Sequence, residues 1–403
     1  MDTSVYDIMV AGHVCLDITP QFKQQAMVPI AELLRPGRLV KVDDAVVSTG
    51  GAVSNTGINI KTMGQRVCFA ARVGNDLFGT IIYDRFSAIG NSSAIKKVEG
   101  ISSSYSVVLA PPGVDRIFLH NPGSNDTFCA ADLDAAVIAQ CRHFHFGYPP
   151  LMRALYVNGG RELERIFRIA KDSGATTSCD MALPDPSSEA GAVDWNEILA
   201  RVLPYVDIYL PSVEEALYMI DKKRFTAMKT EFNGADLIDH MAPDLFTELS
   251  DKLLALGTKI ATLKAGVRGF YVRTGDKNLF NGMGRARPGD SVAWSNRELW
   301  CPAFAVDHVV SATGSGDSSI AGFLSAFLNG VDPELALKYA VCSGWQNVQV
   351  IDATSGIKSW SETTAQIKSG MPVINNNVHG NGWRFIDKEQ LYAGPMDSIF
   401  SAP

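Results

Sequence analysis

Short β-prone runs alternate with helix-like stretches along most of this chain, and that rhythm leaves few folds open. Residues 6–11 (Tyr-Asp-Ile-Met-Val-Ala) run into Gly12 and read as a first strand, and 67–71, 144–146, 176–181, 206–210 and 260–264 read as further strands. Between them, Val53, Thr56, Gly57, Ile60 and Met63 recur at helical spacing before Gly64, and 161–171, 214–220 and 245–256 are also helix-like. Strands that alternate with helices favour an α/β fold whose mainly parallel sheet is covered on both faces.

Two stretches break the rhythm. Residues 18–48 and 101–119 look largely extended, with a β-prone run at 104–109, and could form a small separate sheet. Residues 274–300, rich in Gly, Asn, Asp and Arg, read as a loop or hairpin excursion, and the tail from Asn375-Asn376-Asn377 onward reads as irregular. With 46% hydrophobic and 20% charged residues, the 403-residue chain can bury a large core. A net charge of −7 argues against a nucleic-acid binder, which needs a basic face, though it leaves room for a small anionic ligand. The seven cysteines are scattered without a C-x-x-C pair, so neither a disulfide framework nor a zinc site is expected. The N-terminus lacks a basic n-region and no run reaches membrane length, which reads as a soluble, cytoplasmic protein with no membrane partner.

The most informative segment is Ser311-Ala312-Thr313-Gly314-Ser315-Gly316-Asp317-Ser318-Ser319-Ile320. Apolar groups at Ile320, Phe323, Leu324, Phe327 and Leu328 continue it as a one-sided helix that Gly330 and Pro333 stop. A Gly-rich turn therefore opens a helix, where unpaired N–H groups and the positive end of the dipole hold an anion. An Asp in that first turn is either a simple cap or a group used in chemistry. No G-x-x-x-x-G-K-[ST] occurs and no G-x-G-x-x-G follows the first strand, so neither a Walker-type NTPase nor a dinucleotide fold is indicated.

A second Gly-rich element, Thr49-Gly50-Gly51-Ala52-Val53-Ser54-Asn55, opens the earlier helix, and Arg72-Val73-Gly74-Asn75-Asp76-Leu77-Phe78-Gly79 follows the next strand. Together they resemble the N-terminal signature of the ribokinase, or PfkB-type, carbohydrate kinases. The Gly314–Asp317 segment resembles the C-terminal signature, D-T-x-G-A-G-D. The resemblance covers residues 6–360 and implies a ribokinase-like three-layer sandwich: a kinase core of 1–17, 49–100 and 120–370, a β-lid of 18–48 and 101–119, and a C-terminal extension of 371–403. It implies ATP-dependent phosphorylation of a hydroxymethyl group on a sugar or sugar-like molecule, with Mg²⁺ as cofactor and a homodimer through the lid as one arrangement.

Carried over residue by residue, the resemblance makes Asp317 the general base and Gly314, Ser315 and Gly316 the anion hole. Asp17, placed where the first strand runs into the lid, and Gly50, Gly51 and Asn55 would bind the acceptor. Thr313 and the turn Lys264-Ala265-Gly266-Val267-Arg268-Gly269 would contact the nucleotide, through Lys264, Gly266 and Gly269. Glu215, in Pro211-Ser212-Val213-Glu214-Glu215, matches the Glu of N-x-x-E that arranges Mg²⁺ and phosphate through water. Three departures mark an outlying subgroup. Ser311-Ala312 replaces Asp-Thr, whose Asp helps fix a monovalent cation in many relatives, so that dependence is not carried over. Ser212 replaces the Asn of N-x-x-E, and Asp180-Met181-Ala182-Leu183 lacks the D-x-N-x-R pattern. A nucleoside kinase of the same fold, or a non-catalytic ligand-binding relative, are the competing readings. Bland alternatives stand beside these assignments: a solvated helical Glu215, a structural Asp17, and structural roles for His143 and His145, which could otherwise pair on a metal.

Overall fold

Residues 4–22, 29–112, 117–374 and 378–400 are described by a computed structural model. In chain order their strands are β1 (Tyr6–Gly12), β2 (Cys15–Gln21), β3 (Asp43–Gly50), β4 (Val67–Gly74), β5 (Ala94–Val98), β6 (Tyr105–Leu109), β7 (Ile117–Asn121), β8 (Cys141–Gly147), β9 (Thr176–Asp180), β10 (Ile208–Tyr209), β11 (Ile260–Lys264), β12 (Phe270–Thr274), β13 (Glu298–Cys301), β14 (Arg384–Ile386) and β15 (Leu391–Ala393). The larger sheet has the order β14-β15-β13-β12-β11-β10-β9-β8-β1-β4-β5. From β11 to β5 every pairing is parallel. The remaining strands extend it antiparallel.

The period-2 geometry of a strand explains why this sheet is covered on both faces. Along β1, Ile8 and Val10 join one hydrophobic core while Met9 and Ala11 join the other. On β4, Val67, Phe69 and Ala71 follow the first set, and Cys68 and Ala70 the second. Helices pack over both faces, giving the expected three-layer α/β architecture. The four-stranded second sheet has the order β3-β2-β6-β7.

Three expectations need correction. The helix Ser315–Leu328 is not one-sided: Asp317, Ser318 and every residue from Ile320 to Leu328 are buried. It lies between the helices Ala52–Thr62 and Pro333–Asn347, so its small residues are packed as well as its large ones. Gly322, for example, leaves no room for a Cβ against the Tyr339 carbonyl, 2.4 Å away. The segment 18–48 is not all extended, because Ile30–Leu33 forms a single helical turn; residues 23–28 and 113–116 of the two lid stretches lie outside the described residues.

The tail is not irregular either. β14 and β15 form a hairpin on the edge of the main sheet, though Asn375-Asn376-Asn377 lie outside the described residues. Strands of three residues are too short to show a period in sequence. The excursion between β12 and β13 contains the 3₁₀ turn Lys277–Gly282 and places Trp294 and Arg297 in the interior. There Arg297 Nε donates to Asp397 Oδ2 at 2.9 Å, with both side chains fully buried, and its other nitrogens reach Glu334 and the Ala293 carbonyl.

The tail therefore neutralises a core cation. Asp397→Ala should leave Arg297 short of a counter-ion and cost about 3–5 kcal/mol of stability. Denaturant titration measures this, and an unchanged midpoint would contradict it.

Candidate active site

Two helix N-termini meet at Asp317. The helix Ser315–Leu328 starts from Gly314, whose left-handed φ of 75° and an ideal Cβ only 2.3 Å from Ala353 Cβ admit glycine alone. The helix Ala52–Thr62 starts from Gly51, with φ 85° and an ideal Cβ that would lie 2.6 Å from the His13 carbonyl oxygen. Its first turn delivers Asn55 Nδ2 to Asp317 Oδ2 at 2.9 Å, and Thr56 Oγ1 to Oδ1 at 3.3 Å. Tyr148 donates its hydroxyl to the same Oδ1 at 2.6 Å. Asn59 ties the two helices further, donating to Ser318 Oγ and to the Ala353 carbonyl, each at 3.0 Å.

Asp317 is 4% exposed, so its carboxylate is held by three donors and two positive dipole ends in a dry setting. Tyr148 occupies a left-handed backbone position, φ 65°, just beyond β8. Burial, and then the charge of Asp317, push its phenol well above the usual range, so it remains a donor. In the Gly-rich turn, the Ser315 N–H already donates to the Ala312 carbonyl at 3.2 Å. The N–H groups of Gly314, Gly316 and Asp317 have no acceptor among the described residues. The open donors are thus those of Gly314, Gly316 and Asp317, with Ser315 engaged elsewhere.

A second cluster adjoins this turn. Lys264, at the end of β11, runs its stem past Gly316, where an added Cβ would sit 3.5 Å from Lys264 Cδ. Its ammonium bonds the Asp180 carboxylate at the end of β9 and lies 3.8 Å from Glu215. Burial works against the charged lysine, but the carboxylates of Asp180 and Glu215 outweigh it and hold its pKa above the usual range. Glu215 is no solvated helical residue. It closes a capping box with Ser212: the Ser212 N–H donates to Glu215 Oε2 at 2.6 Å, and the Glu215 N–H to Ser212 Oγ at 3.2 Å. Ser212 thereby caps the helix Val213–Ile220. Asp180 Oδ2 and Asn55 Oδ1 are buried without a partner among the described residues.

Of the expected acceptor residues, Asp17 and Gly50 lie on the small sheet, whereas Gly51 caps the helix Ala52–Thr62 and Asn55 lies in its first turn, bonded to Asp317. Asp17 stands within β2 rather than at the end of β1. A Cβ on Gly50 would be 2.1 Å from Asp17 Oδ2, so the glycine makes space for that carboxyl. Burial raises the Asp17 pKa, against a hydrogen bond from Cys15 at 3.3 Å. In register across the sheet, Ser48, Asp17, Ser106 and His120 form one row. Gly266 and Gly269 flank the turn Gly266–Arg268; Gly269, with φ 101°, presses on the Cys301 carbonyl, whereas Gly266 faces open space. The Thr313 N–H donates to Ser311 Oγ at 3.2 Å. Neither these glycines nor Thr313 hydrogen-bonds to the Asp317 cluster.

Sequence reasoning missed Thr56, Tyr148 and the engagement of Asp180. The available signal was that Gly147-Tyr148-Pro149 and Asp180 both end strands of a parallel sheet, where α/β ligand sites form. His143 and His145 are not a metal pair: both rings bond the hydroxyl of Ser178, at 2.7 and 2.8 Å. Among the described residues no three His, Cys, Asp or Glu side chains group to hold a metal.

Residues 7–360 match the model of the pfkB family of carbohydrate kinases. The chain belongs to that family. It is 23% identical over 278 residues to an uncharacterized sugar kinase of Archaeoglobus fulgidus, covering 69% of this chain and 89% of the relative. To a 5-dehydro-2-deoxygluconokinase of Clostridium perfringens it is 22% identical over 345 residues, covering 84% and 86%. A putative ribokinase II from E. coli in complex with ATP and Mg²⁺ superimposes with a TM-score of 0.66 at 20% identity, covering 91% of this chain and all of that one. These likenesses establish the ribokinase fold. No described helix is long and apolar enough to cross a membrane.

Three buried histidines should make the fold less stable in acid. Burial depresses His13 and His143 from 6.5 to about 3 and His145 well below 6.5. Unfolding lets each imidazole bind a proton that the fold excludes, so stability should fall as the pH drops below about 6.5 and go on falling toward about 3. The loss should be about 2 kcal/mol per histidine by about pH 5. Calorimetric unfolding in buffers of different ionisation enthalpy should register close to one proton taken up per histidine; no uptake would refute the assignment.

Proposed function

We propose that this protein transfers the γ-phosphoryl group of ATP to a hydroxymethyl group of a sugar or sugar-like acceptor, with Asp317 as the general base. The observation that carries the reading is the buried Asp317 carboxylate, aimed by Asn55, Thr56 and Tyr148, beside the unsatisfied N–H groups of Gly314, Gly316 and Asp317. Membership of a carbohydrate kinase family supports it, as does a neighbour of the same fold solved with ATP and Mg²⁺.

Oδ1 already accepts two hydrogen bonds and Oδ2 one, so Oδ2 is the oxygen left to receive the acceptor's O–H. As the new O–P bond forms, that proton passes to Oδ2 and the bond from phosphorus to the ADP oxygen breaks. Negative charge on the transferred group falls before donors already oriented by the turn, which need no rearrangement. Lys264 brings a fixed cation alongside, and Thr313, Gly266 and Gly269 would border the nucleotide. Mg²⁺ would neutralise phosphate charge when bound; Glu215, through water, and the unpartnered Asp180 Oδ2 suit it. Asp17, Gly50, Gly51 and Asn55 would hold the acceptor, and closure of the small sheet would exclude water. Val46, Val47, Phe118 and Leu119 lie exposed on that sheet and support a homodimer paired through it.

Asp317→Asn keeps the side chain's shape but removes the base. Turnover with a good acceptor should fall by roughly two to four decades while ATP affinity barely changes. Near-normal kcat would reject the assignment. Gly316→Val tests the anion site separately. A Cβ there meets nothing closer than the Lys264 stem, so the fold should persist while phosphoryl transfer is lost; unchanged transfer would put the phosphate elsewhere.

A further inference from the structure

His13 is the one histidine of the centre that nothing in the fold employs. It follows Gly12 at the carboxyl end of β1, is 3% exposed, and has no hydrogen-bond partner for either ring nitrogen among the described residues. Its backbone is engaged, since the His13 carbonyl accepts from the Val53 N–H at 3.1 Å. The ring fills the space that Gly51 leaves: a Cβ on Gly51 would stand 2.5 Å from His13 Nδ1. A buried imidazole with two idle nitrogens is costly in an empty fold, and such groups call for a ligand or an ordered water.

The surroundings indicate which. The His13 ring lies 6.1 Å from that of Tyr148, the residue bonded to Asp317, and 5.4 Å from that of His120 on β7 of the small sheet. His120 continues the row through Ser106, whose hydroxyl lies 3.0 Å from His120 Nδ1, to Asp17. His13 is thus the core's contribution to a polar seam leading from the base to the lid-side carboxyl.

We propose that His13 is an acceptor-recognition residue, hydrogen-bonding a hydroxyl of the sugar from the core side while His120 approaches from the lid. The inference deepens the reading of this site as a sugar kinase and depends on it for where the acceptor lies. Burial, reinforced by His120, keeps the imidazole neutral. A neutral ring carries one donor and one acceptor, which a hydroxyl can match on both counts and a carboxylate or phosphate cannot.

The test uses His13→Phe on the full chain. Phenylalanine preserves the ring and removes no hydrogen bond to the protein, so the melting temperature should hold or rise. By calorimetry against a panel of neutral pentoses, hexoses, ketoses and nucleosides, the sugar that wild type binds best should bind the variant ten- to a hundredfold more weakly. ATP affinity should stay the same, and His13→Gln should recover part of the loss. Unchanged sugar affinity, a lowered melting temperature, no binding of wild type to any neutral sugar, or binding only to carboxylated or phosphorylated ones would each overturn the proposal. A sugar bound in a His13-dependent way but never phosphorylated would uphold it and reject the kinase reaction instead. Phosphorylation with the same KM in His13→Phe would do the reverse.

Discussion

The site depends on two helices pointing their amino ends at one carboxylate. Each starts from a glycine in a left-handed conformation, and each glycine is pressed so closely by a neighbour, Ala353 for Gly314 and His13 for Gly51, that no side chain fits. The crowding sets the angle at which each helix leaves its turn. Asn55, Thr56 and Asp317 are then within hydrogen-bond reach although more than 260 residues separate them. Moving either turn would break the hydrogen bonds that aim the carboxylate and misdirect the open N–H groups beside it.

The same economy of contact holds in the charged cluster next to it. Lys264 bonds Asp180 and lies within ion-pair range of Glu215, so in this cluster each buried charge meets an opposite one. Ser212, a departure from the Asn that resemblance leads one to expect, has a local explanation. It caps its helix, and Glu215 returns the favour to the Ser212 N–H, which orients the carboxylate toward Lys264. Where the family pattern breaks, a short-range hydrogen bond maintains the position of the residue that remains.

Much of the architecture was legible in the chain because it is written in short periods. The alternation of β1, Ile8 and Val10 against Met9 and Ala11, is visible in four residues and correctly implies a sheet covered twice. The Gly-rich turns are likewise local, since a positive φ and a close backbone approach both demand glycine. The misreadings came where the period was too short or the surroundings decided. The three-residue strands β14 and β15 carry no periodic signal, and the polar composition around them masks a buried Asp397 that answers Arg297 a hundred residues earlier.

By itself, then, the sequence determined the layered α/β class, the two helix-opening turns and Asp317 as the residue to watch, because backbone sterics and hydrophobic spacing act between near neighbours. Only the tertiary structure decided what faces that carboxylate. Tyr148, Asp180, Lys264 and His13 stand at or just past the ends of four different strands, and of these only Lys264, beside its glycine turn, was marked out as a site residue by the chain alone. They converge because parallel strands deliver all their carboxyl ends to one edge of the sheet, a consequence of pairing between segments far apart in the chain.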